Sequence, residues 1–566
     1  MFKFKFLLFA LSVFYCNRSV AQTNPMAEIM LHYQTDRTLL RNFYTVETSP
    51  ESRIRFKALA EDYLKKINQE DFNQFNTGAR ADYLLFRRDL QEQIFQLSKA
   101  EDAYEKLKNR FPFADQIYQL EKQCRRGTSS EPEKTAAQLN EISKQLKKLI
   151  QELPSSTKFS PSEALEAYKT GRDLRQAGKK VFDFYNQYDP MFSWWIPVTY
   201  KQTDSLLRVY TTALSKNTLQ ESKASSDPSL QGVPVGRAEI LRKLDMEMIP
   251  YSPEELIAMA TKELEWCDRE MLKATAEMGL KNDWQAAMEK VKNTYVAPGK
   301  QPELIVKLYN EALDFIKSKD LITIPPLAEE TWGMIMMTPE RQLVNPFFTG
   351  GSEISISYPT SDMNYEDKMM SMRGNNPYFS RGTVQHELIP GHNLQYFMMS
   401  RYNTHRNYNT PFWMEGWALY WELLLYDMNF AKTPEERIGM LFWRKHRCAR
   451  IIFSLNYQLG KWTPATCIDF LVNRVGHEQA NAEGEVRRSI APWTDPLYQV
   501  GYLTGGLQVM ALKKELVDSG KMTYKEFHDS FIKENSMPIE MIRAILTHQS
   551  LSKDFKTRWR FYDLKN

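Results

Sequence analysis

Most of this chain carries a helical pattern, in which apolar residues recur every three or four positions among charged ones. Segments 55–64 and 135–149 are clear examples, because their apolar residues fall on one face of an α-helix. Glycine, which weakens helices, occurs only 23 times in 566 residues. The pattern predicts a mainly α-helical protein, and the length is sufficient for about one to four domains.

Helix boundaries are expected where proline and serine interrupt this pattern. Ser160-Pro161-Ser162-Glu163 and Tyr251-Ser252-Pro253-Glu254 are typical helix starts, with proline in the first turn and an acidic residue after it. A loop rich in serine, proline and glycine is expected at 217–236. We predict an N-terminal helical region, 22–231, and a catalytic region, 232–566; one continuous helical domain fits the same pattern. Further helices are predicted at 162–217, 411–427, 434–457, 464–475 and 495–518, with a pair within 523–551.

One segment departs from the helical pattern. Ile354, Ile356 and Tyr358 alternate with polar residues, which is typical of a half-buried β-strand. The strand would lie shortly before the histidine motif described next. Its edge could bind an extended peptide through main-chain hydrogen bonds. A small structural hairpin fits the pattern equally well.

Two of the eight histidines flank a glutamate: His386 is followed directly by Glu387, and His392 comes six positions after the first histidine. Two imidazoles and a base for water are what a zinc hydrolase requires. On a continuous helix the two rings would point about 120° apart, so they could share a metal only if the helix were interrupted. Pro390-Gly391 supplies an interruption, because proline removes a backbone donor and glycine tolerates unusual conformations. The motif therefore predicts a metal site with Glu387 as general base.

A catalytic zinc ion usually has three protein ligands, and the best candidate for the third is Glu415. This residue stands among tryptophans and other apolar residues, where an unpaired carboxylate would be costly to bury. Glu422 lies seven positions later on the same helix face and is suited to orient a metal ligand. Pairing of either glutamate with an arginine is the alternative interpretation.

Three stretches resemble the bacterial DUF885 family. They are Arg-Gly-Asn-Asn-Pro at 373–377, His-Glu-Leu-Ile-Pro-Gly-His at 386–392, and 412–420, which contains Glu-Gly-Trp-Ala. The resemblance extends from about 232 to near 514 and is less specific upstream. The family is similar in outline to gluzincin peptidases. The resemblance therefore implies a mainly helical, zincin-like body with a deep channel and one bound Zn²⁺ ion. The strand pattern at 353–358 adds a small β element beside the metal helix.

The resemblance also implies roles outside the motif. Tyr498, ahead of Tyr502, would donate a hydrogen bond to the oxyanion. Arg487 or Arg488 would clamp a substrate carboxylate, unless they pair with a structural glutamate. Glu422 and Asn376 are further residues predicted to contact substrate or to support the metal ligands. His405 could also contact substrate, although a hydrogen-bonded structural role is the more common one for such a residue.

The first residues predict export. Residues 1–21 are typical of a secretory signal peptide, with two lysines before an apolar run and a small-residue cleavage site at 19–21. Cys16 follows two bulky aromatic residues, so we expect cleavage rather than a lipid anchor at this cysteine. Later segments lack the roughly 18 apolar residues of a membrane span. A periplasmic or secreted protein with no stable membrane span is therefore predicted.

Charge and cysteine content exclude other classes. Without residues 1–21 the chain has 71 basic and 70 acidic residues, and this balance argues against nucleic acid as a partner. Four cysteines follow residue 21, which is too few for a disulfide scaffold. One or two disulfide bridges and buried free thiols fit these cysteines equally.

The combined prediction is a zinc metallopeptidase that hydrolyses short or unfolded peptides. Zinc would be held by His386, His392 and Glu415, and Glu387 would activate the attacking water. A zinc amidase acting on cell-wall stem peptides would use the same residues. A non-catalytic peptide-binding protein is the alternative of a different class, and it would have no use for a base at position 387.

Overall fold

The computed structural model describes residues 24–128, 131–153, 159–216, 232–342, 345 and 347–564. The predicted signal peptide, which includes Cys16, and most of the loop predicted at 217–236 lie outside these ranges. Within them the chain is mainly α-helical, which confirms the predicted fold class. No helix among the described residues has both the length and the apolar character needed to cross a membrane.

The helices are numbered here along the chain. They are α1 (Pro25–Phe43), α2 (Pro50–Asn68), α3 (Thr77–Leu107), α4 (Ala114–Arg125), α5 (Pro132–Glu152), α6 (Pro161–Tyr185), α7 (Pro190–Lys216), α8 (Arg237–Met246), α9 (Pro253–Glu277), α10 (Trp284–Lys292), α11 (Gln301–Ser318), α12 (Pro326–Thr331), α13 (Pro339–Gln342), α14 (Tyr365–Gly374), α15 (Pro377–Glu387), α16 (His392–Met399), α17 (Pro411–Asp427), α18 (Pro434–Gln458), α19 (Pro464–Phe470), α20 (Gln479–Ile490), α21 (Tyr498–Leu516), α22 (Tyr524–Lys533) and α23 (Ile539–Leu546). Short 3-10 helices occur at Phe72–Gln74 and Lys108–Arg110, and a π-helical turn follows α19 at Leu471–Val475.

Several helix starts follow from local sequence. The helix starts predicted near 160 and 252 are confirmed, and each carries a serine–glutamate capping box. The helical segment predicted at 162–217 is confirmed and consists of two separate helices, α6 and α7. Between them Asp189 accepts hydrogen bonds from the backbone of Met191 and Phe192, so Asp189-Pro190 is itself a helix start. The polar helix α20 was not predicted.

The predicted strand is present as β2 (Glu353–Ile356). It pairs in parallel with β1 (Gly333–Met336), a strand that was not predicted, so the two do not form a hairpin. On its other side, the backbone N–H and C=O of Ser355 are both hydrogen-bonded to Thr349. At Ser355 the strand therefore has no open edge for a peptide, and the predicted docking role of this edge is wrong at that residue.

The buried apolar residues form three clusters. The largest joins α1–α3 with α11, α12, α14–α17 and α21–α23. The second centres on α9 and α18, and the third is formed by α4–α7. The boundary predicted between 231 and 232 does not coincide with these clusters, because α1–α3 share a core with the helices of the histidine motif. The four cysteines that follow residue 21 are all buried free thiols.

Candidate metal centre

The helix interruption predicted at the histidine motif is present. Residues 388–391, with a cis peptide bond before Pro390, separate α15 from α16, whose first residue is His392. A Cβ at Gly391 would lie 1.8 Å from the carbonyl oxygen of His386, so glycine is required there. The turn brings the two imidazole rings face to edge, with a centroid distance of 4.8 Å.

Glu415, on α17, completes a group of three potential metal ligands with His386 and His392. Its Oε2 atom lies 3.5 Å from Nε2 of His386 and 3.3 Å from Nε2 of His392. That oxygen is buried and lacks a hydrogen-bond partner. Around a tetrahedral zinc ion with bonds of roughly 2.0–2.1 Å, neighbouring ligand atoms lie about 3.3 Å apart. The three side chains therefore fit a zinc-sized cation, and among the described residues no other cluster of histidine, cysteine and acidic groups does.

The electrostatics of this group also favour a cation at its centre. Burial acts to raise the pKa of Glu415, but His392 and His386 hold it well below its usual range. Burial acts to lower the pKa of His392, but Glu415 raises it to about 9. The buried carboxylate thus demands positive charge beside it, which either a proton or a metal ion can supply.

Each histidine is oriented through its other ring nitrogen. Nδ1 of His386 lies 2.7 Å from Oε1 of Glu422, and Nδ1 of His392 lies 2.9 Å from Oε1 of Gln395. Burial acts to raise the pKa of Glu422, but Arg447, which donates to it at 3.0 Å, and His386 keep it low. Nε2 of each ring therefore faces Glu415, as expected for histidines that bind a metal.

Close packing of α17 against α21 places Glu415 beside Tyr498. A Cβ at Gly416 would lie 2.6 Å from the backbone of Gly505, and one at Gly505 would lie 2.1 Å from the carbonyl oxygen of Phe412. The Tyr498 hydroxyl donates to Oε1 of Glu415. Burial and the charge of Glu415 raise the pKa of Tyr498 well above its usual range, so its hydroxyl stays protonated.

Glu387 lies beside the three potential metal ligands and borders the same cavity. Its Oε1 atom is 4.0 Å from Nε2 of His386, and its side chain is 13% exposed. Its Oε2 atom accepts a hydrogen bond from the backbone N–H of Gly350, which precedes β2. A Cβ at Gly350 would lie 2.1 Å from the Glu387 carbonyl oxygen, so this contact also requires glycine. The segment before β2 therefore holds the carboxylate in place.

His386, His392, Glu415 and Glu387 line a cavity of about 320 Å³. This volume lies at the lower end of the range for small-ligand pockets. Its other lining residues include Gly350, Tyr396, Trp443, Arg447, Arg450, Arg488, Tyr498 and Tyr502. The cavity therefore combines a candidate metal site, a candidate base and three cationic side chains.

The remaining predicted residues are divided between the cavity and other parts of the fold. Arg488 lines the cavity, whereas Arg487 does not. Asn376 caps α15, since its side chain accepts from two backbone N–H groups and donates to the Arg373 carbonyl. His405 pairs with the buried Asp82 of α3 at 3.0 Å. Asn376 and His405 therefore hold parts of the fold and do not line the cavity, and the structural role allowed for His405 matches this contact.

Three contributors were missed at the sequence level. Gln395 follows His392 by three positions, and this spacing on a helix was an available signal. Arg450 follows Arg447 by three positions on α18, and this spacing also indicates a shared helix face. The role of Gly350 depends on a backbone contact with Glu387, and nothing in the sequence marks it.

Fold and site together define a mainly helical protein with a buried His-His-Glu centre at the base of a cavity. The chain belongs to the family described as "Bacterial protein of unknown function (DUF885)", whose model matches residues 42–546. The match extends farther upstream than the resemblance from 232 to 514 and includes α2–α7.

Two solved structures share this fold. One is described as "a putative lipoprotein of unknown function" from Shewanella oneidensis, with a TM-score of 0.67, 15% identity, and coverage of 92% of this chain and 99% of that chain. The other is "the putative lipoprotein" from Colwellia psychrerythraea, with a TM-score of 0.57, 15% identity, and coverage of 92% and 98%. No curated protein matches this chain significantly.

Proposed function

We propose that this protein is a zinc-dependent peptidase that hydrolyses peptide bonds in short or unfolded peptides. The observation that carries the proposal is the position of Glu387. This carboxylate borders the cavity directly beside His386, His392 and Glu415 and is held by a backbone hydrogen bond. A protein that only bound peptides would have no need for a base at this point.

His386, His392 and Glu415 would hold the zinc ion, and Glu422 and Gln395 would fix the two rings. When bound, zinc supplies Lewis acidity, which polarises a carbonyl and makes water a nucleophile near neutral pH. Removal of a ring-orienting group typically weakens metal binding about 10- to 100-fold, so Glu422 and Gln395 belong to the site as much as the ligands do.

Glu387 would accept a proton from the attacking water and pass it to the leaving amine. Such a general base contributes about 10²- to 10⁴-fold to the rate. Tyr498 would donate a hydrogen bond to the oxyanion that forms on the scissile carbonyl, since its raised pKa keeps the proton on its hydroxyl. To do so, the hydroxyl would turn from Oε1 of Glu415, to which it donates in this structure.

The proposed location is outside the cytoplasm. Residues 1–21 have the pattern of a signal peptide. Both solved relatives carry the word lipoprotein in their descriptions, which supports export. Short peptides in the periplasm or outside the cell would then be the available substrates.

The test compares wild-type protein with Glu387→Gln, with Glu366→Gln, on the exposed start of α14, as the matched control. Each is loaded with one equivalent of zinc and assayed on a mixed pool of linear peptides beside muropeptides. We expect Glu387→Gln to keep its zinc and lose about 10²- to 10⁴-fold in kcat/KM, while Glu366→Gln matches the wild type. Zinc-loaded wild-type protein that cleaves neither pool would refute the proposal, and cleavage of muropeptides alone would favour the cell-wall amidase.

A further inference from the structure

Three arginines line the cavity, and two of them are firmly paired. Arg447 donates to Glu422 at 3.0 Å. Arg450 makes two hydrogen bonds to Glu485, at 2.7 and 3.0 Å. The three arginines therefore have two carboxylate partners, Glu422 and Glu485. One positive charge on the arginine side of the cavity lacks a carboxylate of its own.

Arg488 is the arginine with the weakest partners. Its Nε atom lies 3.5 Å from Glu485, its Nη1 atom 3.4 Å from the side chain of Asn345, and its Nη2 atom 3.5 Å from the Tyr502 hydroxyl. A guanidinium has five N–H donors, and strong hydrogen bonds to an anion are shorter, at about 2.7–2.9 Å. The Arg488 side chain is 23% exposed, so it can meet a ligand that enters the cavity.

Arg450 offers a second donor on the same wall. The residue is only 3% exposed, and its Nη1 atom is buried without a hydrogen-bond partner. A buried charged donor left in this state is costly, and an anion in the cavity would satisfy it. The Arg450 guanidinium stacks on the ring of Tyr502, 4.2 Å from its centroid. Arg488 approaches the hydroxyl of the same tyrosine. The two donors therefore border one small region.

Tyr502 also relates this region to the metal ligands. Its ring is parallel to that of His386, with 6.2 Å between centroids. A fully extended peptide spans at most about 3.3–3.6 Å per residue. The Arg450 guanidinium lies 4.2 Å from the Tyr502 ring, so an anionic group held by Arg450 and Arg488 would lie within about three residues of a carbonyl placed at the proposed metal site.

We propose that Arg488 and Arg450 bind a carboxylate of the peptide substrate, either the free C-terminus or an acidic side chain. The inference rests on the proposed peptidase function and adds a substrate class to it. A cavity of about 320 Å³ with Arg450 and Arg488 in its lining suits the end of a chain. With the C-terminal carboxylate as ligand, the enzyme would remove residues from the carboxyl end of peptides.

Binding can be tested without turnover. Calorimetric titrations use the Glu387→Gln protein, both zinc-free and zinc-loaded, so that the result does not depend on hydrolysis. The first pair of probes is tetra-alanine with a free C-terminus and its C-terminal amide. The second pair consists of C-terminally amidated tetrapeptides that carry either Glu or Gln at the third position.

We expect the carboxylate member of at least one pair to bind about tenfold more tightly, since hydrogen bonds to charged groups are the strong ones. Preference within the first pair assigns the C-terminus as ligand, and preference within the second assigns the side chain. Arg488→Gln should abolish the preference, and Arg488→Lys should retain part of it. Arg474→Gln, which removes a positive charge paired with Asp268 outside the cavity, should leave it unchanged.

Equal affinity within both pairs, with or without zinc, would overturn the inference. So would a preference that survives Arg488→Gln, because the carboxylate would then bind elsewhere, for instance at the zinc ion. Neither result touches the hydrolysis assay on the Glu387 variants. Failure of the carboxylate site and failure of the peptidase proposal are therefore separate outcomes.

Discussion

Two pairs of buried histidines lie in this protein, and they differ in what surrounds them. His386 and His392 have a ring-centroid distance of 4.8 Å, and His446 and His477 have one of 4.6 Å. In the first pair, Nε2 of both rings faces Glu415. In the second pair, the ring nitrogens are hydrogen-bonded to each other at 2.8 Å. The rings are about equally close in the two pairs. Only in the first pair do two ring nitrogens face one carboxylate oxygen that lacks a hydrogen-bond partner.

The charges around the two pairs are opposite in sign. Carboxylates surround the first pair, and Glu415 raises the pKa of His392. Burial together with Arg450 lowers the pKa of His446 well below its usual range. Burial lowers the pKa of His477 to about 3, even though Glu485 acts in the opposite direction. The first pair therefore lies in surroundings that favour a cation, whereas burial and Arg450 keep His446 of the second pair neutral.

Removing one histidine from each pair should give the largest difference. We expect His386→Gln to lose stoichiometric zinc, because it removes a ligand, and His446→Gln to keep the wild-type zinc content. Metal analysis after dialysis against a zinc-free buffer measures both. Equal loss of zinc from the two variants would contradict the claim that only the first pair binds zinc.

Glu485→Gln tests the arginine-rich surroundings of the second histidine pair. Removing this carboxylate leaves Arg450 buried without its counter-charge, and we expect a loss of about 3–5 kcal/mol in the free energy of unfolding. Zinc content should not change, since Glu485 faces the second histidine pair. Urea unfolding followed by circular dichroism gives the stability. A loss below about 1 kcal/mol would show that the pair contributes little.

Glu422→Gln tests the support of the first pair. The amide can still contact Nδ1 of His386 but carries no charge, so we expect zinc affinity to fall about 10- to 100-fold. Competition with a zinc chelator of known affinity measures the change. Unchanged affinity would mean that Glu422 only neutralises Arg447.

The smallest expected effect is a pH dependence at the second pair. His477 has a pKa near 3 in the folded protein and an ordinary value of 6.5. Between pH 6.5 and 3 the unfolded chain binds more protons there, so the stability that the neutral ring contributes falls as pH is lowered through this window. Between pH 8 and pH 6 the wild type should lose about 1 kcal/mol more of its free energy of unfolding than His477→Gln does. A difference independent of pH would contradict the low pKa.

The fold class and the centre of the site could be predicted because their signals are local. Helical periodicity is a property of each segment, and the helix interruption at Pro390-Gly391 follows from two residues. Glu415 was found because a carboxylate among tryptophans must have a partner when it is buried. The sequence also contained a local signal for Asn376, because an asparagine before proline at a helix start is a typical cap. We predicted a role at the metal site or the substrate instead.

The features that were missed depend on contacts between distant segments. Helices α1–α3 share one core with the helices of the histidine motif. The sequence shows that each helix has an apolar face but does not show which faces pack together. Arg450 and Glu485 belong to α18 and α20, and α20 itself was not predicted. The parallel partner of β2 lies beyond a connection that contains α13. Such pairings are set by tertiary packing rather than by local pattern.

Anomalous X-ray diffraction at the zinc absorption edge, from crystals grown with equimolar zinc, tests the metal site most directly. We expect one strong peak between Nε2 of His386, Nε2 of His392 and the carboxylate of Glu415, and none between His446 and His477. No peak among the three proposed ligands, or a peak between His446 and His477 instead, would contradict the zinc site.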